Sequence, residues 1–372
     1  MAFRKEKLTL KNLASKYPMV LLTGPRENRK AELARQAFPQ KSFIDLDDKN
    51  ILQIAKNSPK TFLMAFSKGA VINEAGRIPT ILEDIKYHVD RLDFEPGRFI
   101  LISSRKLKTS DMGGRLAKME LLGLTAEDME EEHFKTHNPF QLIQKGQIQG
   151  VLEGRTEISN FVRLCVQKDF SGHINTSNTQ AFEQFIAICA RSAASGARLS
   201  VNSLAREARI SAPTAKTWLA LLEDYIIINI IHESKNPSRA NLYFNDSGLL
   251  CSLLGISTPE SLILSPFRVA VVKSYAVSEL LKGRGGRALE PNLNLGSSQS
   301  LTADWKERCE LFIEPNIEIS REKIKKIQKA ARIYGRKIVV LYLGDITYST
   351  EGIDIISFRD WTKLSGELNC FS

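Results

Sequence analysis

The stretch from residue 20 to residue 33, VLLTGPRENRKAEL, constrains the fold of this chain more than any other. Its apolar start predicts a buried strand, Gly24 and Pro25 predict a tight turn, and the basic residues that follow predict the beginning of a helix. Further apolar runs predict strands at residues 42–46, 69–72 and 98–102. Because strands alternate with helical segments, we predict an α/β fold with a parallel, doubly wound sheet that binds ligands at the carboxyl ends of its strands.

The turn agrees with the phosphate-binding P-loop pattern GxxxxGK[ST] at two of its four defining positions. Gly24 and Lys30 are in place, whereas Arg29 replaces the second glycine and Ala31 replaces the Ser or Thr. An arginine resists the positive φ that glycine adopts freely, and its bulk hinders the wrapping of backbone N–H groups around a phosphate. The methyl group of Ala31 cannot ligate Mg²⁺. The pattern therefore predicts a phosphate loop with weakened metal support.

Polar side chains follow the later predicted strands. Asn73 and Glu74 stand where a P-loop NTPase has an Asp-Glu pair, of which the Asp holds the Mg²⁺ shell and the Glu orients the attacking water. Here the first residue is a neutral amide, while Glu74 keeps its carboxylate as a residual catalytic residue. Ser103 or Ser104 is predicted to contact the terminal phosphate, and Arg115 to reach a phosphate in its own or a neighbouring subunit.

These segments resemble a known family, the bacterial and archaeal AAA-type ATPases that carry a winged helix and a nuclease-like carboxyl-terminal domain of unknown function. Members of that family read LTGPRQxGKT, DExQ, GS[ST] and LAGR. This chain shows LTGPRENRKA, INEAGRIP, ISS and GGRL at matching spacings. The resemblance implies an AAA-like domain over residues 1–137 and an ATP site. The nucleotide-binding residues that it implies are Gly24, Pro25, Arg26, Arg29, Lys30, Asn73, Ser103 and Arg115.

Three alternatives remain open for this site: an active ATPase, a nucleotide site that lacks its metal, and a structural remnant that binds nothing. Phosphoryl transfer depends on positioning and electrostatics, so the loss of both metal supports makes Mg²⁺ binding and hydrolysis inefficient. Lys30, Arg26 and Arg29, together with the amino terminus of the following helix, would still attract an anion. The sequence therefore favours a pseudo-ATPase.

A helix, a turn, a second helix and a strand are predicted within residues 199–233, inside an α-helical region that spans residues 138–260. Ser211 is predicted to cap the second helix. This order of elements is that of a winged helix-turn-helix, whose second helix enters the major groove of DNA. The predicted nucleic-acid contacts are Arg206, Arg209, Thr214, Lys216 and Thr217. Docking of a protein partner is the alternative role of this module.

The family resemblance continues beyond this module. Residues 241–256, NLYFNDSGLLCSLLGI, resemble the family signature KxYFxDxGLxxxLLG, so the resemblance spans nearly the whole chain. Asp246 within this segment is predicted to be a helix cap or turn residue rather than a catalytic residue.

Residues 261–372 are predicted to contain a helix, a hairpin, a helix and a strand, an order that resembles a restriction-endonuclease-like α/β domain. The resemblance implies a metal site with carboxylates at Asp304 and Glu314. Asn316, however, replaces the lysine of the family motif, and Lys273 occupies the position of its helix glutamate. The domain is therefore predicted to lack a complete nuclease site, and the alternative role is that of a structural or docking domain.

Composition narrows the partners of the chain. Lys and Arg number 52 against 42 Asp and Glu, which gives a formal net charge of +10. This charge points to a polyanionic partner, most simply nucleic acid such as DNA; the alternative is a basic solvated surface without a partner. The five cysteines are dispersed without CxxC spacing, which argues against a zinc or disulfide framework. The sequence has no apolar run of the ~20 residues that a membrane span needs and no signal-peptide core, so we predict a cytoplasmic protein without a membrane partner.

The sequence as a whole predicts a catalytically impaired AAA-like scaffold that binds nucleic acid or a protein partner through a winged helix and a basic surface. The alternative is a slow ATP-binding and ATP-hydrolysing switch that controls oligomerisation or DNA binding. By analogy with AAA-type proteins, which often assemble, a homo-oligomer is also expected.

Overall fold

A computed structural model of this chain describes residues 4–78, 80–91, 95–109, 112–131, 138–170, 174, 178–233, 236–282, 293–295, 300–303, 309–334, 337–350 and 352–361. The chain divides into two compact units. Unit 1 is built mainly from residues 1–122, and unit 2 mainly from the residues after 122. The predicted domain ranges 1–137, 138–260 and 261–372 stay predictions.

Unit 1 alternates helices and strands, as the sequence predicts. Its helices are α1 (Arg4–Ala14), α2 (Lys30–Ala37), α3 (Lys49–Asn57), α4 (Pro59–Met64) and α5 (Ile81–Asp90), and its strands are β1 (Met19–Thr23), β2 (Ser42–Asp45), β3 (Ala70–Asn73), β4 (Phe99–Ser103) and β5 (Leu116–Glu120). The strands form one sheet in the order β2-β3-β4-β1-β5, and every neighbouring pair is parallel. The predicted parallel α/β sheet is confirmed.

Both faces of this sheet are covered. Leu21 of β1 belongs to one apolar core, to which α5 contributes Ile85, and Leu22 belongs to a second core, to which α2 contributes Leu33. Successive side chains of a strand point to opposite faces, so a strand that is buried on both sides reads as a continuous apolar run. This burial explains why β1 and β4 are conspicuous in the sequence.

The sequence analysis missed β5. Its buried Ala117 and Met119 alternate with exposed Lys118 and Glu120, because this strand lies at the edge of the sheet. Such a short alternation lacks the continuous apolar run that marks the central strands.

Unit 2 begins with helices and ends with a mixed sheet. Its helices are α6 (Ala126–Glu131), α7 (Pro139–Lys145), α8 (Gln149–Leu152), α9 (Ile158–Cys165), α10 (Thr179–Ala194), α11 (Val201–Ala208), α12 (Ala212–Asp224), α13 (Ser247–Leu253), α14 (Pro259–Leu264), α15 (Arg268–Lys282) and α16 (Arg321–Tyr334). Its strands are β6 (Ile228–Glu233), β7 (Asn236–Phe244), β8 (Leu293–Leu295), β9 (Ser300–Ala303), β10 (Cys309–Glu314), β11 (Lys337–Tyr342), β12 (Tyr348–Thr350) and β13 (Ile353–Ser357).

Helices α11 and α12 form the predicted helix–turn–helix. Arg209 follows α11 in the left-handed conformation, with φ 53°, and reverses the chain. The backbone N–H of Thr214 donates to Oγ of Ser211 at 3.2 Å, which confirms Ser211 as the predicted cap. Trp218 anchors α12 by a ring contact with Phe185 of α10, with 5.4 Å between centroids. The second helix is thus fixed by its cap at one end and by an aromatic contact in its middle.

An antiparallel pair of strands, β6 and β7, follows the helix–turn–helix. The sequence predicts a strand over residues 226–231, but strand β6 begins at Ile228, because Ile226 has a left-handed backbone with φ 58° and still belongs to the turn. After β7, the backbone N–H of Leu249 donates to Oδ1 of Asp246 at 2.7 Å, so Asp246 is a helix cap, as predicted. Burial raises the pKa of this carboxyl group.

The carboxyl-terminal sheet has the strand order β12-β13-β11-β10-β9-β8. Strands β10, β11 and β13 are parallel, and β9 pairs with β10 in the antiparallel sense, as expected for the predicted hairpin. Helix α16 contributes Ile327 to an apolar core with Val340 and Ile355. The predicted order of helix, hairpin, helix and strand is observed, while the nuclease-like identity of this region stays a prediction.

A buried charge pair organises the start of unit 2. Glu279 of α15 is fully buried, and its Oε1 lies 3.3 Å from Nζ of Lys282. Gln147 contacts both side chains, and the backbone N–H of Ala126 donates to Glu279 at 3.1 Å. Lys282 also donates to the carbonyl oxygen of Leu124 at 3.0 Å, and burial lowers its pKa. The pair therefore ties the first residues of unit 2 to α15.

Replacing Lys282 with methionine is expected to destabilise unit 2 by about 3 kcal/mol, because removing one partner of a buried pair leaves the carboxylate of Glu279 without its counter-charge. Urea unfolding of the variant and the wild type measures this difference. The matched control is Lys326→Met, which breaks the exposed pair between Lys326 and Glu322 and should not change stability measurably. Equal stability of the two variants would contradict the role of the buried pair.

Candidate functional site

The candidate site of unit 1 lies at the carboxyl edge of its parallel sheet. The loop between β1 and α2 begins at Gly24, and a Cβ atom at this position would collide with the carbonyl oxygen of Leu121. The backbone N–H of Gly24 donates to the carbonyl oxygen of Ser103 at 3.3 Å. Only glycine fits such a close approach of backbone to backbone. The loop is therefore anchored at its first residue to the ends of β4 and β5.

The loop keeps a left-handed backbone without its second glycine. Arg29 has φ 50°, and Glu27 has φ 63°. Arg29 therefore adopts positive φ although a residue with a Cβ atom resists it, and its side chain forms an ion pair with Glu32. This conformation costs about 1–2 kcal/mol for a residue with a Cβ atom.

Lys30 lies inside the loop. Its side chain belongs to the first turn of α2 and is only 5% exposed. Its Nζ donates to the carbonyl oxygen of Pro25 at 2.7 Å and to Oγ of Ser104 at 3.4 Å. A phosphate oxygen can take the place of the Pro25 carbonyl as the acceptor, because both are oxygen acceptors for an ammonium group. Lys30 is thus positioned at the centre of the loop.

Of the two serines at the end of β4, Ser103 and Ser104, the second faces this site. The Oγ of Ser104 donates to Oε1 of Glu74 at 2.6 Å, and its backbone N–H donates to Oε2 of Glu74 at 3.3 Å. The Oγ of Ser103 instead donates to the carbonyl oxygen of Arg105 at 2.7 Å. Both serines are predicted from the sequence as candidates for contact with a phosphate, and these hydrogen bonds place Ser104, not Ser103, beside Glu74 and Lys30.

Glu74 is fixed by its neighbours. It is buried, has a left-handed backbone with φ 52°, and lies 3.9 Å from the guanidinium of Arg26 in addition to its two hydrogen bonds from Ser104. A general base needs a carboxylate that can accept a proton from water. Glu74 has this chemistry, but its oxygens are already acceptors for Ser104.

The positions that would hold a metal ion do not fit one. Ala31 has no ligand atom in its side chain and packs against the apolar core. The amide nitrogen of Asn73 donates to Oδ1 of Asp45 at 2.9 Å, so this side chain offers a metal ion at most a neutral amide oxygen in place of a carboxylate. Within the described part of the chain, no cluster of three or more His, Cys, Asp or Glu side chains is suited to a metal ion.

Two carboxylates at the end of β2, Asp45 and Asp47, were missed by the sequence analysis. The guanidinium of Arg26 lies 3.5 Å from Asp47, and Nε of Arg77 donates to Asp47 at 2.6 Å. The signal in the sequence is the segment DLDD (residues 45–48) at the end of the second predicted strand, since the carboxyl ends of parallel strands share one edge. These residues connect the loop to the neighbouring strand ends.

Arg115 is not brought to this site within the chain. Its carbonyl oxygen accepts the backbone N–H of Met19 at 3.1 Å, at the start of β1 and so at the opposite edge of the sheet. Its side chain pairs with Asp90 at the end of α5. The structure therefore separates Arg115 from the loop that follows Thr23.

The predicted nucleic-acid contacts lie on the helix–turn–helix of unit 2. Arg206, Arg209, Lys216 and Thr217 are exposed. Thr214 is half-buried, and its Oγ1 lies 2.7 Å from Oγ of Ser211, so this hydroxyl takes part in the cap of α12.

The exposed residues of α12 share one side of the helix. Pro213, Lys216, Thr217 and Ala220 follow helical spacing and all are exposed, whereas Trp218 is buried. The second helix therefore presents a solvent-facing side that carries one lysine and one threonine.

Of the two predicted metal carboxylates of the carboxyl-terminal region, Asp304 lies outside the described residues. Glu314 ends β10, is 1% exposed and accepts a hydrogen bond from the amide of Asn316 at 2.6 Å. Lys323 of α16 forms an ion pair with it, so a lysine reaches this carboxylate from the helix rather than from the strand. Burial lowers the pKa of Lys273, the residue at the predicted position of the helix glutamate.

The chain is similar to one protein-domain family and to two individual proteins of mycobacteria. Residues 144–260 match a protein family described as a domain of unknown function, DUF8612. Uncharacterized proteins of Mycobacterium bovis and Mycobacterium tuberculosis are 24% identical over 292 residues, a match that covers 73% of this chain. The match spans 64% of the length of those two proteins.

Two solved structures are similar at a coarser level. A Walker-type ATPase of Pyrococcus abyssi is 13% identical, with a TM-score of 0.43, over 68% of this chain and 95% of its own. A signal transduction ATPase with numerous domains from Pyrococcus horikoshii, which has a tetratricopeptide repeat sensor, is 11% identical, with a TM-score of 0.24, over 76% of this chain and 45% of its own. With TM-scores this low, neither likeness bears on function.

None of the helices in the described part of the chain combines the length and the apolar character needed to cross a membrane.

The left-handed backbone at Arg29 leads to a prediction about stability. Arg29→Gly and Arg29→Ala both remove the ion pair with Glu32, but only glycine adopts positive φ without strain, so Arg29→Gly should be more stable than Arg29→Ala by about 1 kcal/mol. Thermal or urea unfolding measures the difference.

Gln53, exposed in the middle of α3, provides the control. There the glycine variant should be the less stable of the two by about 1 kcal/mol, because a helix interior favours alanine. If the glycine variant were less stable than the alanine variant at Arg29 as well as at Gln53, Arg29 would not be in a left-handed conformation in solution.

Proposed function

We propose that unit 1 is an AAA-like P-loop scaffold that holds the phosphates of ATP without hydrolysing them efficiently. The observation that carries this proposal is the arrangement around Lys30. The lysine lies in the loop after β1, and Glu74 is bound by Ser104 and Arg26. Ala31 offers no ligand to a metal ion, and Asn73 offers a neutral amide in place of a carboxylate.

The loop has three features that suit phosphate groups. Lys30 provides an ammonium donor beside the carbonyl of Pro25. Helix α2 begins at Lys30, and its first backbone N–H groups carry the positive end of the helix dipole. Glu27 and Arg29 have left-handed backbone conformations. Such residues occur in turns whose successive backbone N–H groups form a concave binding site for anions. These features do not depend on a metal ion.

Hydrolysis needs more than phosphate binding. The attacking water must be oriented by a base, and the charge that develops on the phosphoryl group must be neutralised by fixed cations. Glu74 would have to exchange its hydrogen bonds from Ser104 for one to water. Turnover by this site is therefore expected to be slow or absent. The alternative, a slow ATPase switch that controls oligomerisation or DNA binding, requires that this exchange takes place.

Lys30→Ala should weaken the binding of a fluorescent ATP analogue by ten-fold or more, since a hydrogen bond to a charged group contributes about 1.5–3 kcal/mol. Fluorescence anisotropy measures the affinity, and phosphate release measures turnover in the same samples. Lys56→Ala, which removes an exposed lysine from α3 of the same unit, is the control and should not change the affinity.

If the Lys30→Ala variant binds as tightly as the wild type, the loop is not the nucleotide site. Phosphate release that disappears in the Lys30→Ala variant would favour the slow ATPase switch, and release that is unchanged would indicate a contaminating enzyme.

We further propose that the helix–turn–helix of unit 2, followed by β6 and β7, is a winged helix that binds DNA. Support comes from the exposed Lys216 and Thr217 on α12 and the exposed Arg206 and Arg209 at the end of α11. The second helix of such a module lies in the major groove, and basic residues beside it contact phosphates. The net charge of +10 favours the same partner.

The double variant Arg206→Ala with Lys216→Ala should lower the affinity for a short DNA duplex. It should also reduce the steepness of log affinity against log salt concentration by about 1–2, because fewer counterions are released on binding when phosphate contacts are lost. A salt titration by fluorescence anisotropy measures both quantities.

The matched control removes the same charge from α16 by Lys325→Ala with Lys329→Ala, two exposed lysines. If both double variants lose affinity equally, DNA binds the basic surface as a whole. If neither loses affinity, the helix–turn–helix has a protein partner instead.

A further inference from the structure

A nucleoside triphosphate carries about four negative charges, and a P-loop enzyme neutralises part of them with Mg²⁺. The support for that ion is weakened here, because the side chain of Ala31 has no oxygen and Asn73 carries a neutral amide in place of a carboxylate. If the nucleotide site proposed above is correct, another cation must face the phosphates. The residues around the loop show which cation this is.

Arg26 lies between the loop and the strand-end carboxylates. It belongs to the loop, two residues after Gly24, and its side chain is 12% exposed. One terminal nitrogen of its guanidinium is 3.5 Å from Oδ2 of Asp47, and the other is 3.9 Å from Oε1 of Glu74. The guanidinium therefore lies where β2 and β3 end, within ion-pair distance of the carboxylates of Asp47 and Glu74.

The second ion pair of Asp47 fixes this arrangement. Arg77, in the short helical turn after β3, donates to Oδ1 of Asp47 at 2.6 Å. Glu74 is held from its other side by Ser104, which also lies 3.4 Å from Nζ of Lys30. A continuous series of contacts thus runs from Arg77 through Arg26 to Lys30. The two carboxylates orient Arg26 in the way that carboxylates orient a bound metal ion.

We propose that Arg26 takes the place of the metal ion and that the loop binds nucleoside triphosphate in its metal-free form. A guanidinium is always charged at physiological pH, and its planar N–H groups match the geometry of phosphate oxygens. Its burial reduces screening by water and strengthens its interaction with a phosphate. This inference rests on the proposed nucleotide site and assigns the chemical form of its ligand.

The charges predict how magnesium acts on this site. In the wild type, a Mg²⁺ ion bound to the phosphates would lie close to Arg26 and be repelled by it, so magnesium should weaken binding or leave it unchanged. Without Arg26, the carboxylate of Glu74 would face the triphosphate without that counter-charge and repel it. Mg²⁺ could then bridge the carboxylate and the phosphates, so the effect of magnesium should change sign.

The experiment measures the affinity of the full-length protein for a fluorescent ATP analogue in EDTA and in excess MgCl₂. The wild type should bind at least as tightly in EDTA as in MgCl₂. Arg26→Ala should lose about ten-fold or more in EDTA, as expected for the loss of a charge-assisted contact to phosphate. It should regain affinity when MgCl₂ is added. Circular dichroism establishes that the variant is folded, and Arg26→Gln, which keeps the hydrogen-bonding head without the charge, serves as the second variant.

Arg77→Ala is the matched control, because it removes another arginine from Asp47 but not the cation beside the loop. Its affinity in EDTA should exceed that of Arg26→Ala, and magnesium should not improve it. A wild type that binds only with MgCl₂ overturns the role of Arg26 but leaves the nucleotide site in place. An Arg26→Ala variant that keeps wild-type affinity in EDTA would likewise overturn the role of Arg26 and leave the nucleotide site in place. A wild type that binds under neither condition removes both the site and this inference.

Discussion

Parallel pairing of β1 with β4 on one side and β5 on the other determines the rest of unit 1. Parallel strands must return by crossover connections, so helices cover both faces and every strand ends at the same edge. The close approach of Gly24 to the backbone of Leu121 fixes the loop after β1 at that edge. Residues that are far apart in the chain, such as Asp47 and Ser104, consequently surround one small region.

The electrostatics of this edge follow from that convergence. Carboxylates from the ends of β2 and β3 meet cations from the loop and from the turn after β3, and nearly every group has a partner of opposite charge. Arg26 and Lys30 are held by protein oxygens that an anionic ligand can replace. Glu74, by contrast, is held by Ser104 in contacts that compete with a catalytic water. This contrast is the physical basis of the proposal that the site binds phosphate but hydrolyses it poorly.

Unit 2 contains a charge pair that stabilises packing. The pair of Glu279 and Lys282 is buried and hydrogen-bonded on several sides, and it connects chain segments more than a hundred residues apart. Breaking such a pair costs more than forming it gains, so its main effect is to make one arrangement of these segments preferable to others. Glu314 and Lys323 form another ion pair, between β10 and α16, in which the carboxylate is buried and the lysine is partly exposed.

The sequence by itself determined the local elements of this protein: the strand, loop and helix around Lys30, the caps at Ser211 and Asp246, and the continuous apolar strands β1 and β4. Each is encoded by neighbours along the chain, through periodicity, turn residues or a capping side chain. Only the tertiary structure decided that Ser104 rather than Ser103 faces Lys30 and that Arg115 lies at the far edge of the sheet. It also decided that Arg26 meets carboxylates from two other strands, because strand order and register bring together residues that no local pattern relates.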